Sequence, residues 1–284
     1  MRPGRAARLG RALAVAAVVV WSIWPIALGV VTSISQQTDV EAARWLPRHP
    51  TADAYRSLIG GTSSRRAGGT VAEAGAFQHA LANSTQLAVG VTLGTLVVAT
   101  MAAYAFARLR SRLGSAFFAA MVATMVVPTF VIVVALFQLL ADAQLIDTKR
   151  GIWLVLLATT TPLATWLLYN QVRELPKEPE EAALIDGCHR VQAFVRVVVP
   201  QLLSGIAAVA TIVMLAVWGE FLIPLLLSST ANAKPVTVLI TEYVGKYSTN
   251  YPILAAAGVL ALLPPALVAL LLNRRITGML AGSS

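Results

Sequence analysis

Six separate apolar runs, each about 20 residues or longer, constrain the fold of this chain more than any other sequence feature. A helix rises about 1.5 Å per residue, so each run is long enough to cross a hydrocarbon layer of about 30 Å. The chain is therefore predicted to be an all-α, polytopic membrane protein with six transmembrane helices. The runs cover approximately residues 12–31, 81–107, 115–141, 151–170, 201–228 and 252–272.

Composition agrees with a membrane protein and excludes several other classes. Of the 284 residues, 57% are hydrophobic and only 12% are charged, whereas soluble domains contain about 25% charged residues. The single cysteine, Cys188, excludes an internal disulfide and any zinc or redox site built from paired cysteines. The formal net charge of +9 lies mostly in segments that flank the apolar runs. Membrane orientation explains that charge better than binding of nucleic acid does.

The distribution of Lys and Arg predicts which segments face the cytoplasm. With the long first loop set aside, 13 basic residues fall in the segments predicted to be cytoplasmic and 4 in those predicted to be external. This bias is the one that the positive-inside rule requires, so both termini are expected on the cytoplasmic side of the cell membrane. The predicted segments are a cytoplasmic N-terminus (1–11), a first transmembrane helix (12–31), an extracytoplasmic segment (32–80), a transmembrane core (81–273) that includes a cytoplasmic loop (171–200), and a cytoplasmic C-terminus (274–284).

The loop at 171–200 contains the only long interior segment that is both charged and patterned as a helix. Pro179 suits the first turn of a helix, and Glu180 and Glu181 place negative charge beside the positive end of its dipole. About two turns later, Gly187 is typical of the residue that follows a helix in a left-handed conformation. The pattern predicts a short helix that ends in a turn.

A second short helix is predicted after this turn. Pro200 disfavours the helical region for Val199, so it is expected to mark the join to the next transmembrane helix. The polar side of the second helix is predicted to carry His189, Gln192 and Arg196. Its apolar face, with i, i+3, i+4, i+7 spacing, consists of Val191, Phe194, Val195 and Val198.

These residues resemble the coupling loop, called the EAA loop, of binding-protein-dependent ABC importers. Family members show Glu-Ala-Ala, two residues, Asp-Gly, nine residues and an apolar stretch that ends in Pro, and the spacing from Glu181 to Pro200 matches. Cys188 and Ser204 depart from the family pattern without touching the turn. The resemblance implies the type I ABC importer permease fold, with the loop docked on ATPase subunits. The residues implied in ATPase coupling are Glu181, Ala182, Ala183, Asp186, Gly187 and Pro200.

Other stretches resemble the smaller permease of maltose-type carbohydrate importers, namely residues 83–84, 103–108 and 274–279. This resemblance implies transport of a carbohydrate or related polyol. The implied partners are a second permease that completes a heterodimer, two ATPase subunits, an extracytoplasmic solute-binding protein and membrane lipid. No cofactor is implied in this chain, because the partner ATPase would bind ATP and Mg²⁺. Import of amino acids or peptides remains an alternative, because the EAA loop is shared across those families.

Glu220 is the only charged residue within the predicted transmembrane runs. A carboxylate near mid-membrane costs about 2.5 to 3.5 kcal/mol on insertion scales and usually faces a partner or a wet cavity. Glu220 lies in a segment that resembles the Trp-Asn-x-Phe segment of the same permeases, with Gly219 in place of Asn. Trp218, Glu220 and Phe221 are therefore candidates for the translocation pathway. The alternative places Glu220 at the outer end of its helix, in contact with lipid headgroups.

No pattern in the sequence predicts an enzyme active site. The chain has no Gly-x-x-x-x-Gly-Lys-Ser/Thr loop, so ATP hydrolysis is expected in another subunit. His49, His79 and His189 are scattered, and no His/Asp/Glu cluster has metal-ligand spacing. We therefore expect no catalytic residue and no metal site. An ion-coupled secondary carrier and a membrane scaffold without transport activity remain alternative classes, and for the carrier Glu220 is the one candidate coupling residue.

Overall fold

The computed structural model describes residues 5–60, 75–109, 111–244 and 249–281, with their side chains except at 5–9, 129 and 272–281. Most of these residues are helical, and within these ranges the only β-type pairing is an isolated bridge between Val244 and Thr249. The all-α prediction is confirmed. Parts of the predicted segments 1–11, 32–80 and 274–284 lie outside the described residues.

The helices are labelled in chain order. They are α1 (Arg5–Ser33), α2 (Gln37–Glu41), α3 (Asp53–Gly60), α4 (Ala76–Arg108), α5 (Arg112–Ala123), α6 (Thr129–Asp142), α7 (Lys149–Glu174), α8 (Glu178–Ile185), α9 (Arg190–Ala193), α10 (Val199–Gln201), α11 (Leu203–Gly219), α12 (Leu222–Leu227), α13 (Val236–Glu242) and α14 (Tyr251–Ala281). A 3₁₀ turn follows α5 and a π-turn follows α9.

Four of the six predicted transmembrane runs correspond to long helices, and the third and fifth runs overlap bent pairs of helices. Helices α1, α4, α7 and α14 are each long and apolar enough to cross a membrane. Helices α5 and α6 meet at 106°, and the segment Arg190–Gln201 meets α11 at 75°. When each bent pair is counted as one span, the described part of the chain contains six spans by length and composition, as predicted.

The third run is broken at Pro128 and is not the single helix predicted over 115–141. The 3₁₀ turn covers Thr124–Val126, and Val127 has an extended backbone with φ −76° and ψ 120°. Proline disfavours the helical region for the preceding residue and has no N–H with which to continue a helix. The chain therefore restarts as α6 with Pro128 at its N-cap.

The fifth run is divided as well, so it is not one unbroken helix over 201–228. Helix α11 ends at Gly219, and the six-residue α12 begins at Leu222. Between them, Glu220 has an extended backbone with φ −69° and ψ 128°. Apolar residues continue on both sides of this break, which is why hydropathy alone does not detect it.

The chain divides into two compact units, Met1–Gln78 with Leu239–Leu263 and His79–Val238 with Pro264–Ser284. Within the first unit, the hydroxyl groups of Ser33 at the end of α1 and Tyr55 in α3 are 2.6 Å apart and share a hydrogen bond. The Gln37 side chain donates to the carbonyl of Thr249 and accepts from the N–H of Tyr251. These contacts order the polar segment that follows α1.

The core of the second unit depends on a close approach between α4 and α7. A Cβ added at Gly94 would lie 2.8 Å from side-chain atoms of both Trp153 and Leu157, so glycine is needed for this approach. The hydroxyl groups of Thr95 and Thr160 share a hydrogen bond of 2.8 Å beside it. Small residues and hydroxyl pairs are typical of helix packing in membranes. Helix α7 also packs against α11 and α12, so it is central to this unit.

Candidate functional site

The candidate site is the elbow, defined as residues 178–201, which lies between α7 and α11 in the second unit. Its first helix, α8, has a proline at the first helical positions and three acidic residues, Glu178, Glu180 and Glu181, in its first turn. A proline in the first turn removes no intrahelical hydrogen bond, because the first N–H groups of a helix have no partner within it. The carboxylates lie near the positive end of the helix dipole. The predicted first helix of the elbow is confirmed.

Gly187 makes the predicted turn after α8. Its φ is +91°, in the left-handed region that favours glycine. The N–H of Gly187 donates to the carbonyl of Leu184 at 3.2 Å, and the N–H of Cys188 donates to the carbonyl of Ala183 at 3.0 Å. These two bonds form a Schellman motif, which satisfies helix-end carbonyls and fixes the direction of the following chain. The turn is therefore a defined joint between two helices.

The predicted coupling residues differ in exposure. Glu181, Ala182, Asp186, Gly187 and Pro200 are exposed, and Ala183 is half-buried. The exposed part of α8 and its turn thus provides an acidic surface that a partner could contact. Glu180, next to the motif, is instead buried.

The second helix of the elbow begins with a capping box that the sequence reading missed. The Nδ1 atom of His189 accepts from the N–H of Gln192 at 3.4 Å, and the Oε1 atom of Gln192 accepts from the N–H of His189 at 3.1 Å. In the sequence, a capping box is indicated by a polar residue followed three positions later by Glu or Gln, and His189 and Gln192 have this spacing. The helical periodicity alone predicts only that His189 and Gln192 lie on a polar face.

The predicted apolar face of the second helix is partly wrong. Val191 and Val195 are 65% and 54% exposed, whereas Ala193 and Val198 are 0% and 2% exposed. A π-turn over Phe194–Val198 follows Ala193, and because its hydrogen bonds span five residues it shifts the positions buried after Ala193 away from the α-helical spacing. The two buried residues, Ala193 and Val198, are five positions apart.

The expected effect of Pro200 on Val199 is also not observed. Val199 is helical, with φ −57° and ψ −44°, and the bend toward α11 falls at Leu202. A proline ring clashes with the carbonyl four residues earlier in an α-helix. The preceding π-turn is wider and gives the ring the room that an α-turn lacks.

A buried polar cluster, the latch, connects the elbow to the end of α4. The hydroxyl of Tyr104 donates to Glu180 Oε1 at 2.6 Å, and Arg108 Nε donates to Glu180 Oε2 at 2.9 Å. Arg108 also donates to the carbonyl of Leu175 at 3.3 Å. The rings of Tyr104 and Phe194 have centroids 4.7 Å apart. The latch, consisting of Tyr104, Arg108, Glu180 and Phe194, therefore joins α4 to both arms of the elbow.

No sequence pattern predicts the latch, although residues 103–108 resemble the corresponding stretch of sugar permeases. Tyr104 and Arg108 are four residues apart, which places them on one face of α4. The side chains of Arg108 and Glu180 are 7% and 9% exposed. When a buried pair of this kind loses one partner, the remaining charge is uncompensated, at a cost of about 3 to 5 kcal/mol.

Glu220 lies in the break between α11 and α12. Its Oε1 atom accepts from the N–H groups of Leu222 and Ile223, at 3.1 and 3.3 Å, and so caps the start of α12. Its own carbonyl accepts from the hydroxyl of Thr237 in α13 at 3.1 Å. Of the other pathway candidates, Trp218 is buried and Phe221 is exposed. The carboxylate thus has a structural partner at a point where the helix is interrupted.

The loop that follows α12 is fixed at two points. Asn83 donates to the carbonyls of Ala231 and Lys234, both at 3.0 Å. The carboxylate of Asp147 accepts from the N–H groups of Ser229 and Thr230 and from the Thr230 hydroxyl. Burial opposes ionisation of Asp147, but hydrogen bonds from Thr230 and Ser229 outweigh it, and the pKa of this carboxyl is lowered. These contacts hold the loop beside the starts of α4 and α7.

No group of three or more His, Cys, Asp or Glu side chains that could hold a metal occurs within the described ranges. The three histidines lie on different elements: His49 after α2, His79 in α4 and His189 before α9.

Comparison with known proteins gives a family and a fold. The model of the family described as "Binding-protein-dependent transport system inner membrane component" matches residues 95–278, which include the elbow, the latch and Glu220. The trehalose transport system permease protein SugB of Mycobacterium tuberculosis is 30% identical over 274 residues, covering 94% of this chain and 93% of that protein. The sulfoquinovosyl glycerol transport system permease protein SmoH of Agrobacterium fabrum is 26% identical over 275 residues, covering 96% of this chain and 92% of that protein.

Among solved structures, a chain of a bacterial ABC transporter involved in the import of the acidic polysaccharide alginate has the same fold. The TM-score is 0.80 at 19% sequence identity, and the match covers 96% of this chain and 99% of that chain. The predicted permease fold is thereby confirmed.

Proposed function

This chain belongs to the family of binding-protein-dependent transport system inner membrane components and is a permease subunit of an ABC importer, and on that premise we propose that it imports a carbohydrate or related polyol. The relatives named for trehalose and sulfoquinovosyl glycerol, which match nearly the whole chain, support this solute class. As in those permeases, the chain is a transport subunit and not an enzyme, in agreement with the sequence reading.

The proposed assembly contains this chain, a second permease, two ATPase subunits that bind ATP and Mg²⁺, and a solute-binding protein that delivers the solute. The elbow and both chain termini face the cytoplasm in this assembly. Two considerations support that orientation: the inward bias of Lys and Arg in the loops, and the need of an ATPase for a cytoplasmic docking surface.

The observation that carries the proposed mechanism is the latch. Exposed Glu181, Ala182, Asp186 and Gly187 contact the ATPase, and closure of the ATPases displaces α8. Because Glu180 on α8 is bonded to Tyr104 and Arg108, displacement of the elbow passes directly to α4. The Schellman turn and the capping box keep the two elbow helices in a defined relation. A loop without these bonds would absorb the movement.

Trp218, Glu220 and Phe221 form part of the translocation pathway in this proposal. Transporters commonly bind solutes where a membrane helix is interrupted, because unwound backbone is available there. The break between α11 and α12 supplies such a point, and Glu220 fixes its geometry by capping α12.

The test is ATP-driven uptake by the assembled importer in proteoliposomes, purified through a tag on this chain and supplied with its binding protein. We expect labelled carbohydrate to accumulate with ATP, to stop with a non-hydrolysable analogue, and to be unaffected when ion gradients are collapsed. Labelled amino acids and peptides serve as the comparison solutes. Accumulation of an amino acid in place of a carbohydrate would overturn the solute class, and uptake driven by an ion gradient would overturn the ABC mechanism.

A further inference from the structure

A basic cavity of about 590 Å³ lies beside the latch, between the end of α4, the start of α5 and the end of α7. Within the described part of the chain, no carboxylate is among the residues that line it. The polar residues that do so include Arg108, Ser111, Arg112, Ser115, Arg173 and Lys177. The cavity therefore concentrates four cationic side chains around one space.

Three of these charges, on the exposed residues Arg112, Arg173 and Lys177, have no carboxylate partner in the described part of the chain. Arg108 is paired with Glu180 in the latch. Arg112, Arg173 and Lys177 form no ion pair within 4.0 Å to any described carboxylate. Like charges facing a shared cavity repel one another unless an anion lies between them. The cavity thus has the electrostatic character of an anion site.

The positions of the donors suit an oxyanion with several acceptor atoms. The guanidinium of Arg173 lies over the ring of Tyr169, with the charged carbon 5.6 Å from its centroid, which restricts its orientation. Helix α5 starts at Arg112, and Ser111 caps it by accepting from the N–H of Gly114 at 2.9 Å. The positive end of this twelve-residue helix therefore lies at the cavity, which Ser111 and Arg112 line. Arginine forks bind phosphate oxygens in pairs.

Apolar side chains flank the cavity on the side of α5. Phe117 is 65% exposed, and its ring centroid lies 6.2 Å from that of Phe106, which lines the cavity. Leu113, which is 82% exposed, follows the cavity residue Arg112. A purely soluble anion would leave this apolar surface without a partner, whereas the acyl chains of a lipid would cover it. Basic residues next to a membrane helix are known to attract anionic headgroups.

We propose that this cavity binds the phosphate group of an anionic ligand, and that the ligand favoured by the apolar flank is an anionic phospholipid. The site is separate from the proposed solute pathway at Glu220 and does not depend on the identity of the solute. Because Arg108 lines the cavity and also holds Glu180, the bound phosphate lies next to the connection between α4 and the elbow.

The test uses native mass spectrometry of the assembled importer with phosphatidylglycerol or phosphatidylcholine of the same acyl chains. The variant is Arg112→Gln/Arg173→Gln. The matched control, Arg56→Gln/Arg150→Gln, removes the same number of positive charges from exposed residues outside the cavity. Each cation that contacts the headgroup changes its affinity by about fivefold. The cavity variant should therefore bind phosphatidylglycerol about 25-fold more weakly than wild type, and the control should bind it as wild type does.

A second arm distinguishes the source of the phosphate. Glycerol 1-phosphate is titrated against the importer in a neutral detergent without lipid. Saturable binding that the cavity variant loses, together with no preference for phosphatidylglycerol, would identify a soluble phosphate ester as the ligand and keep the phosphate site. Equal binding of both lipids and of glycerol 1-phosphate by the two variants and wild type would overturn the proposal. A partner-subunit carboxylate occupying the cavity in the assembled importer would overturn it as well.

Discussion

The Oε2 atom of Glu180 accepts a hydrogen bond from Nε of Arg108 at 2.9 Å, although the two residues are 72 positions apart in sequence. Glu180 belongs to the first elbow helix and Arg108 to the end of a transmembrane helix. This pair, with Tyr104 donating to the same carboxylate, is the physical connection on which the proposed coupling depends. The latch therefore yields the first prediction.

Glu180→Gln should destabilise the importer, because it leaves the Arg108 charge buried without its counter-charge. We expect a loss of about 3 to 5 kcal/mol in the free energy of unfolding, measured by thermal unfolding of the purified complex. The double variant Arg108→Met/Glu180→Met should recover most of this stability, since apolar replacement of a buried pair is often neutral or favourable. Its ratio of solute transported to ATP hydrolysed should nevertheless fall, which separates coupling from stability. Full coupling in the double variant would contradict the role of the latch.

Gly187→Pro should leave the protein inserted in the membrane but uncouple ATP hydrolysis from uptake. Proline fixes φ near −65°, far from the observed +91°, and removes the N–H that binds Leu184. Gly187→Asn is the matched control, because asparagine tolerates the left-handed region better than other residues. Uptake and ATPase activity measured on the same proteoliposomes provide the readout. Normal transport by the proline variant would contradict the proposed rigid joint.

Gly94→Ala should destabilise the packing of α4 on α7. The new Cβ would lie 2.8 Å from Trp153 and Leu157, closer than such contacts permit. We expect a loss of about 1 to 3 kcal/mol, typical of overpacked positions. Gly258→Ala is the control, because no atom lies within 4 Å of its added Cβ and alanine favours helix over glycine. An unchanged melting temperature for Gly94→Ala, measured beside the control, would show that the helices have room to separate.

Asp147 should contribute stability that is lost in acid. Its pKa is lowered in the folded protein from the ordinary value of 3.8, so its contribution is fully present above that value and disappears as the pH falls through the folded pKa. Asp147→Asn should therefore lower the melting temperature by the same amount at pH 7 and at pH 5. The difference from wild type should shrink below about pH 4. A difference that stays constant down to pH 3 would mean that ionisation of Asp147 does not stabilise the loop.

The sequence predicted those parts of the structure that local chemistry determines. Apolar runs specify membrane helices through their length, and Gly187 specifies a turn because few other residues adopt its backbone conformation. The break at Glu220 escaped prediction because it is stabilised by Thr237 from another helix and by amides that follow it. The π-turn at 194–198 likewise changes which side chains are buried without altering the apolar composition.

The latch and the basic cavity could not be read from the sequence for a different reason. Arg108 ends the stretch 103–108 that resembles sugar permeases, but as charges Arg108 and Arg112 are equivalent under the positive-inside rule, which uses them only to orient the chain. Their surroundings differ: Arg108 is buried against Glu180, whereas Arg112 lines the cavity without an ion partner in the described part of the chain. This difference in surroundings arises from contacts between segments that are distant in sequence, which charge counting does not detect.

The early end of α11 also affects the surrounding bilayer. Its 17 residues extend roughly 26 Å, which is shorter than a hydrocarbon layer of about 30 Å. The break at Glu220 and the short α12 cover the remaining depth, or the surrounding lipids compress, and compression costs free energy that rises with the mismatch. Transport rates should therefore depend on acyl-chain length, with thin bilayers favouring the arrangement described for α11 and α12.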